Sequence, residues 1–170
     1  MVQRISGYER IASDAYNTPP WVTRIIVPYI PYAYVWEPAA GSGAMVRVLR
    51  KAGLAVRRST LHESGGDFLQ MNEHVGAIVT NPPYSLAQKF VEHALDLAPF
   101  VAMLLPSEWD TAQGRDHLFD YGRFHKKIVI TKRIRWIPGS TGSPSSNHAW
   151  FIWDASIFGR KHEIEYWYPE

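Results

Sequence analysis

Residues 33–53 read AYVWEPAAGSGAMVRVLRKAG. Ala33–Trp36 is a short apolar run, the mark of a buried strand. Ala44–Lys51 repeats its apolar residues at helical spacing, and Gly53 is placed to stop that helix. Between them, Glu37-Pro-Ala-Ala-Gly-Ser-Gly43 puts two glycines where the chain leaves a strand and enters a helix. Glycine lets the backbone turn sharply and come close to a ligand. Strand, glycine turn and helix together open a βαβ unit of the dinucleotide-binding kind. The acidic side chain at the strand end adds an acceptor and negative charge, which suits a ligand bearing an ammonium group better than a pyrophosphate. Such a turn alone also fits an ordinary strand–helix junction, or a nucleotide site of another kind.

Working outward, Leu54–Leu61 is predicted as a second strand and Gly76–Thr80 as a third. Ser85–Ala98 is predicted as an amphipathic helix, with Leu86, Phe90 and Leu97 on one face and Ala94 between them. Phe100–Leu105 is a strongly apolar strand, Ala112–Tyr121 a helix, and Lys127–Thr131, Ala149–Trp153 and Ile164–Tyr168 closing strands. Upstream, Thr18-Pro19-Pro20 is placed to start a short helix over Trp21–Tyr29, with Thr18 as its N-cap. The expected fold is α/β and Rossmann-like: a mainly parallel central sheet with antiparallel C-terminal strands at its edge, possessing fewer helices than the full form.

Asn81-Pro82-Pro83-Tyr84 follows the third strand and so belongs at the carboxyl edge of the sheet, where open α/β folds bind ligands. Two prolines fix φ and lack amide donors, which leaves carbonyls as acceptors. The Asn81 amide oxygen and the Pro82 carbonyl can accept both protons of a flat NH₂ group, and Tyr84 can stack on the ring that carries it. The alternative is a rigid turn with a surface tyrosine.

Composition narrows the class. The chain has 170 residues and a mass of 19.4 kDa, which suggests one domain over 1–170. It is 46% hydrophobic and 20% charged, so it is not a disordered chain. Having no cysteine, it is not a disulfide scaffold and cannot run the covalent thiolate route to carbon-5 of cytosine. No segment reaches the ~20 apolar residues that span a bilayer, and Met1–Asp14 lacks an apolar signal core. The expectation is a cytoplasmic protein without a membrane partner and without a metal. A net charge of +2 is too weak to prove a nucleic-acid partner. Arg123–Arg135 nevertheless holds six Lys/Arg and no acid (Arg123, Lys126, Lys127, Lys132, Arg133, Arg135). These can contact phosphates or form a solvated strand edge. Gly139–Ser146 (GSTGSPSS) reads as a loop that closes over substrate or merely connects two strands. His148 lies in the late strand region and reads first as a packed structural histidine.

Taken together, these motifs resemble those of S-adenosylmethionine-dependent methyltransferases. Glu37–Gly43 looks like motif I of that family. Asn81–Tyr84 is similar to motif IV of its amino-methylating branch, which includes the N6-adenine DNA methyltransferases. Gly66-Asp-Phe-Leu69 is similar to motif III, and Ala15-Tyr-Asn-Thr-Pro-Pro20 to the N-terminal motif. The order matches the γ-type arrangement. Arg135–Ile137 through Asn147–Trp153 looks like the tail of small phage-type members. The resemblance runs from about residue 15 to 153.

The resemblance implies S-adenosylmethionine as cofactor and an exocyclic amine as acceptor, foremost adenine N6 in DNA. Alternatives are adenine in RNA, a protein glutamine, or a non-catalytic module that binds cofactor or nucleic acid. DNA ranks ahead of RNA as partner, and the cytoplasm of a phage host is one setting. Glu37 would bind the methionine ammonium, with Ala39, Gly41 and Gly43 letting the backbone pass close. Asp67 would accept from the cofactor's adenine amine, Phe68 would pack on that ring, and Thr18 would touch the methionine end. Asn81 would border the cofactor and, with Pro82, hold the target amine; Tyr84 would stack on the target base. The family's acidic residue at the end of strand two is absent: Thr60 stands nearest, and Glu63 is the other candidate for the ribose. The short gap from Thr60 to Asp67 implies a missing helix. Residues 85–170 must finish the sheet, so no target-recognition domain fits, and specificity would be low or come from a partner or a second copy.

Overall fold

The computed structural model describes residues 17–60, 67–119, 122–137, 139, 146–157, 159 and 161–169. Four strands, β1 (Tyr34–Glu37), β2 (Ala55–Arg58), β3 (Ala77–Thr80) and β4 (Phe100–Pro106), form the parallel part of one sheet. With β5 (Phe124–Ile130), β6 (His148–Asp154) and β7 (Glu163–Trp167), the strand order is β2-β1-β3-β4-β6-β5-β7. β6 runs antiparallel to both its neighbours, β4 and β5, while β7 pairs parallel to β5.

The mainly parallel sheet with antiparallel C-terminal strands is as expected, but the reversed strand is interior and not at the edge. The reason lies in the side chains. Residues 148–153 of β6 are all buried, so that strand needs cover on both faces and a neighbour on each side. β7 is half exposed and carries Glu163 and Glu165 among its residues, which an edge strand tolerates.

Successive residues of a strand face opposite ways, and the core divides accordingly. Val35, Val79, Ala102, Leu104, Trp150 and Ile152 pack toward α1 (Pro20–Ile26) and α2 (Ala44–Lys51). Trp36, Ile78, Val101, Met103, Phe151 and Trp153 pack toward α3 (Ala87–Leu97). β1 feeds α2 on one face, and β3 feeds α3 on the other. The connections diverge at the β1/β3 boundary, the switch point at which such sheets open a crevice beyond the strand ends.

Most of the tryptophans serve the core. Trp36, Trp150 and Trp153 are fully buried, and each indole N–H has an acceptor: Ser59 Oγ at 2.9 Å, the Val22 carbonyl at 3.0 Å and the Leu118 carbonyl at 2.8 Å.

Two expected helices differ. Thr18 does not cap α1: Pro19 is the N-cap, with no side-chain cap bond, and the Thr18 hydroxyl accepts from Asn81 instead. Over its described part, Ala112–Phe119, the second is not α-helical. The chain forms 3₁₀ turns at Trp109–Thr111 and Gln113–Leu118. Gly114 lowers helix propensity there, and within the second turn only Leu118 is buried, so no apolar face supports a longer helix. Between β2 and β3 the described residues hold the 3₁₀ turn Phe68–Gln70, and residues 61–66, where the expected missing helix would fall, lie outside the described residues. Among the described residues no helix is long and apolar enough to cross a membrane.

Candidate active site

Glu37 ends β1, and Thr80 ends the neighbouring β3. The Thr80 hydroxyl donates to Glu37 Oε1 at 2.5 Å, and the Ala39 amide donates to the same oxygen at 2.9 Å. The carboxyl group is 1% exposed. Burial pushes its pKa up to about 8, against the two hydrogen bonds, which pull it down. Among the described residues no cation pairs with it. A buried acid with hydrogen bonds but no counter-ion is electrostatically incomplete, and an incoming ammonium would complete it.

The turn after Glu37 is held from both sides. Gly41 and Gly43 have φ of +48° and +78°. At Gly43 an added Cβ would meet nothing closer than 3.6 Å, so backbone conformation rather than space calls for glycine there. Arg47 donates to the Ser42 carbonyl at 2.8 Å and Arg58 to the Gly41 carbonyl at 3.3 Å. Ser42 Oγ bonds Asn17 Oδ1, so the segment before α1 is tied to the glycine turn. Ser59, buried beside Glu37, accepts from Trp36 and exchanges backbone bonds with Glu37 and Ala40. These arginines and Ser59 carry no signal in the sequence that marks them, because each acts through a carbonyl or indole brought near by folding.

Asn81 follows Thr80. Its Nδ2 donates to Thr18 Oγ1 at 3.2 Å. Its Oδ1 is buried and has no hydrogen-bond partner. A buried amide oxygen left without a donor costs about 1–3 kcal/mol, and such a cost points to a ligand that supplies the donor. Pro82 is buried and Tyr84 half-buried. The Tyr84 ring lies 5.8 Å from that of His148, which in turn meets Trp136 edge-on at 5.1 Å. His148 is 2% exposed, and burial pushes its pKa down to about 4, against a backbone hydrogen bond to Ser146, so it packs as a neutral ring.

The structure thus brings Thr18, Glu37, Ala39, Gly41, Gly43, Asn81 and Tyr84 to one sheet edge. Asp67 and Phe68 lie at the 3₁₀ turn between β2 and β3. Asp67 caps the turn that follows it, accepting from the Leu69 amide at 3.1 Å. Phe68 is 1% exposed and lies among Trp36, Phe90 and His93, with ring centroids 4.9 to 5.2 Å apart. Its ring packs with those three neighbours in the core beneath the sheet. Thr60 is half-buried at the end of β2; Glu63, Ala15 and loop residues 140–145 lie outside the described residues. Among the described residues no cluster of three or more His, Asp or Glu could hold a metal ion.

A doubly wound, mainly parallel sheet with one reversed strand is a Rossmann-like α/β fold. Solved structures share it. PH1948 of Pyrococcus horikoshii, described as an RNA methyltransferase, matches with a TM-score of 0.67 at 13% identity, over 89% of this chain and 92% of its own. Protein 1320 of Thermoplasma acidophilum matches with a TM-score of 0.60 at 12% identity, over 82% of this chain and 86% of its own. A modification subunit from Vibrio vulnificus YJ016, described as belonging to a type I restriction enzyme, has a TM-score of 0.60 at 14% identity; the match covers 94% of this chain but only 48% of that one. At these identities the likeness is one of fold. No protein-family model matches the chain, and no curated protein matches it.

Proposed function

We propose that the chain is an N-methyltransferase that uses S-adenosylmethionine and acts on the exocyclic amine of a nucleobase, foremost adenine N6 in DNA. The observation that carries this reading is the Asn81 amide oxygen: buried, without a donor, and one residue beyond the Thr80 that hydrogen-bonds Glu37. The fold likeness to PH1948 and to the Vibrio vulnificus modification subunit supports the class.

In this reading Glu37 takes the methionine ammonium, and the Gly41–Gly43 turn lets the backbone approach the rest of the cofactor. The bound cofactor supplies a methyl group already activated on a sulfonium. The chain's own task is the amine. An aromatic amine is a poor nucleophile because its lone pair is delocalised into the ring. Asn81 Oδ1 accepts one of its protons, with the Pro82 carbonyl as second acceptor. That pairing favours a more tetrahedral nitrogen and stabilises the positive charge that builds on it during attack. Tyr84 stacks on the base and fixes its plane, so that the nitrogen is aligned for direct in-line transfer. Neither acceptor is basic, so the surplus proton leaves to water.

The test is transfer of label from radiolabelled S-adenosylmethionine to unmethylated DNA, total RNA and a protein extract, with nucleoside analysis. N6-methyladenine in DNA is the expected product. Label in RNA or protein replaces the substrate, and binding of cofactor without transfer to anything overturns the enzymatic reading.

A further inference from the structure

The six cations of Arg123–Arg135 separate on folding. Arg123 turns inward and donates to the carbonyls of Leu95 and Ala98. Lys126 pairs with Glu163 and Glu165, and Lys127 with Asp110. These three tie β5 and the residue before it to α3, to β7 and to the turn at Trp109–Thr111. Lys132, Arg133 and Arg135 follow the end of β5 and line a cleft of about 600 Å³. Arg47 reaches the same cleft from α2, and its walls include Trp21 and Trp136. Four cations from two distant segments and two aromatic rings therefore share one concavity.

The cleft adjoins the candidate active site on two sides. Thr18, the hydrogen-bond partner of Asn81, lines it. Trp136 links it to Tyr84 through the buried His148 ring, with centroids 5.1 and 5.8 Å apart. Packed rings, with His148 buried in the middle, thus connect the wall of the cleft to the Asn-Pro-Pro-Tyr turn. Cations that track a backbone, combined with rings on which bases stack, are the means by which proteins hold unpaired nucleic acid. A cleft of this volume has room for roughly one or two nucleotides, and a base that stacks on its wall needs a face that a duplex keeps covered.

We infer that this cleft, lined by Arg47, Lys132, Arg133, Arg135, Trp21 and Trp136, binds an unpaired nucleic-acid strand next to the nucleotide presented at Asn81. The inference rests on the proposed function for its substrate class. DNA and RNA strands offer the same phosphates and stacking faces, and the experiment separates them.

The test measures anisotropy of labelled oligonucleotides of one sequence, as single-stranded DNA, single-stranded RNA and duplex DNA, across a salt titration with the full chain. K132A/R135A is expected to weaken single-strand binding by roughly tenfold or more near 0.1 M salt, and to lower the salt slope by about 0.7 per cation removed. Trp136→Ala is expected to weaken binding by about tenfold at unchanged slope, since stacking releases no counter-ions. Lys89→Ala, which removes a single charge from an exposed position of α3, should alter neither quantity. Cofactor binding by calorimetry shows that each variant is folded and reads the methyltransferase assignment independently. Loss on the DNA or the RNA strand supports the cleft, and the strand bound more tightly identifies the sugar. Wild-type affinity and slope in K132A/R135A, or duplex bound as tightly as single strand, overturns it even where methyl transfer proceeds.

Discussion

Thr18 Oγ1 lies 3.2 Å from Asn81 Nδ2 and commits that amide nitrogen to the segment before α1. The consequence is orientational. With Nδ2 turned to Thr18, the other end of the amide, Oδ1, is the end presented as an acceptor. Thr18, 4% exposed, is thereby a positioning residue for Asn81.

Thr18→Val keeps the shape and removes the hydroxyl. A net hydrogen bond is worth about 1 kcal/mol, so methyl transfer should slow about fivefold in single-turnover kinetics. Thr18→Ser should restore the rate. Equal rates for Val and Ser variants would show that the amide is oriented by something else.

Asn81→Ala should abolish turnover while leaving cofactor affinity nearly intact. Removing one oriented charge-stabilising group typically costs about 10²–10³ in rate. Because the lost oxygen has no partner in the folded chain, the same variant should not lower thermal stability beyond the one bond to Thr18. A large loss of both stability and cofactor binding would make Asn81 structural.

Glu37 couples the site to pH. Folded, it keeps its proton up to about pH 8, against an ordinary value of 4.5. The folded state therefore holds the extra proton between those values, and stability falls as pH rises through that window. An ammonium ligand needs the carboxylate, so binding below pH 8 should release a proton. Affinity should rise with pH toward 8 and fall beyond it, as an α-amino group itself deprotonates near roughly 8. Calorimetry in buffers of different ionisation enthalpy counts that proton. Glu37→Gln should abolish the release and weaken binding about tenfold or more, from loss of a charge-assisted bond. Unchanged affinity would move the ammonium site elsewhere.

Arg123 is a structural cation. Its two carbonyl bonds lie at the junction of α3 and β4. Arg123→Ala should destabilise the fold by about 2–3 kcal/mol, the scale of hydrogen bonds from a charged donor, read by denaturant titration. The salt dependence of nucleic-acid binding should stay as in the wild type; a lowered slope would place Arg123 on the strand.

Much of this molecule is legible one residue at a time. Apolar runs and helical spacing mark β1, α2, β3, α3 and β4, because burial imposes a local period on the chain. The two turns that matter most announce themselves through glycine and proline, whose backbone limits are intrinsic. Thr18 and Ala112–Phe119 differ from the local pattern for the opposite reason: a cap and a helix each depend on what lies nearby in space. Thr18 finds a better partner in Asn81, and residues 113–118 find almost nothing to bury against.

The division follows the range of the forces. The order of motifs, the switch-point edge and the acid at Glu37 are written in neighbouring residues, and the sequence by itself determined them. Only tertiary structure decided that β6, with both faces apolar, lies inside the sheet, and that Phe68 belongs to the core. It also decided which three of six cations are taken up by carbonyls and carboxylates around β5 and which three line, with Arg47, one cleft. Pairing, burial and charge compensation join residues tens of positions apart, and no local pattern in the chain records them.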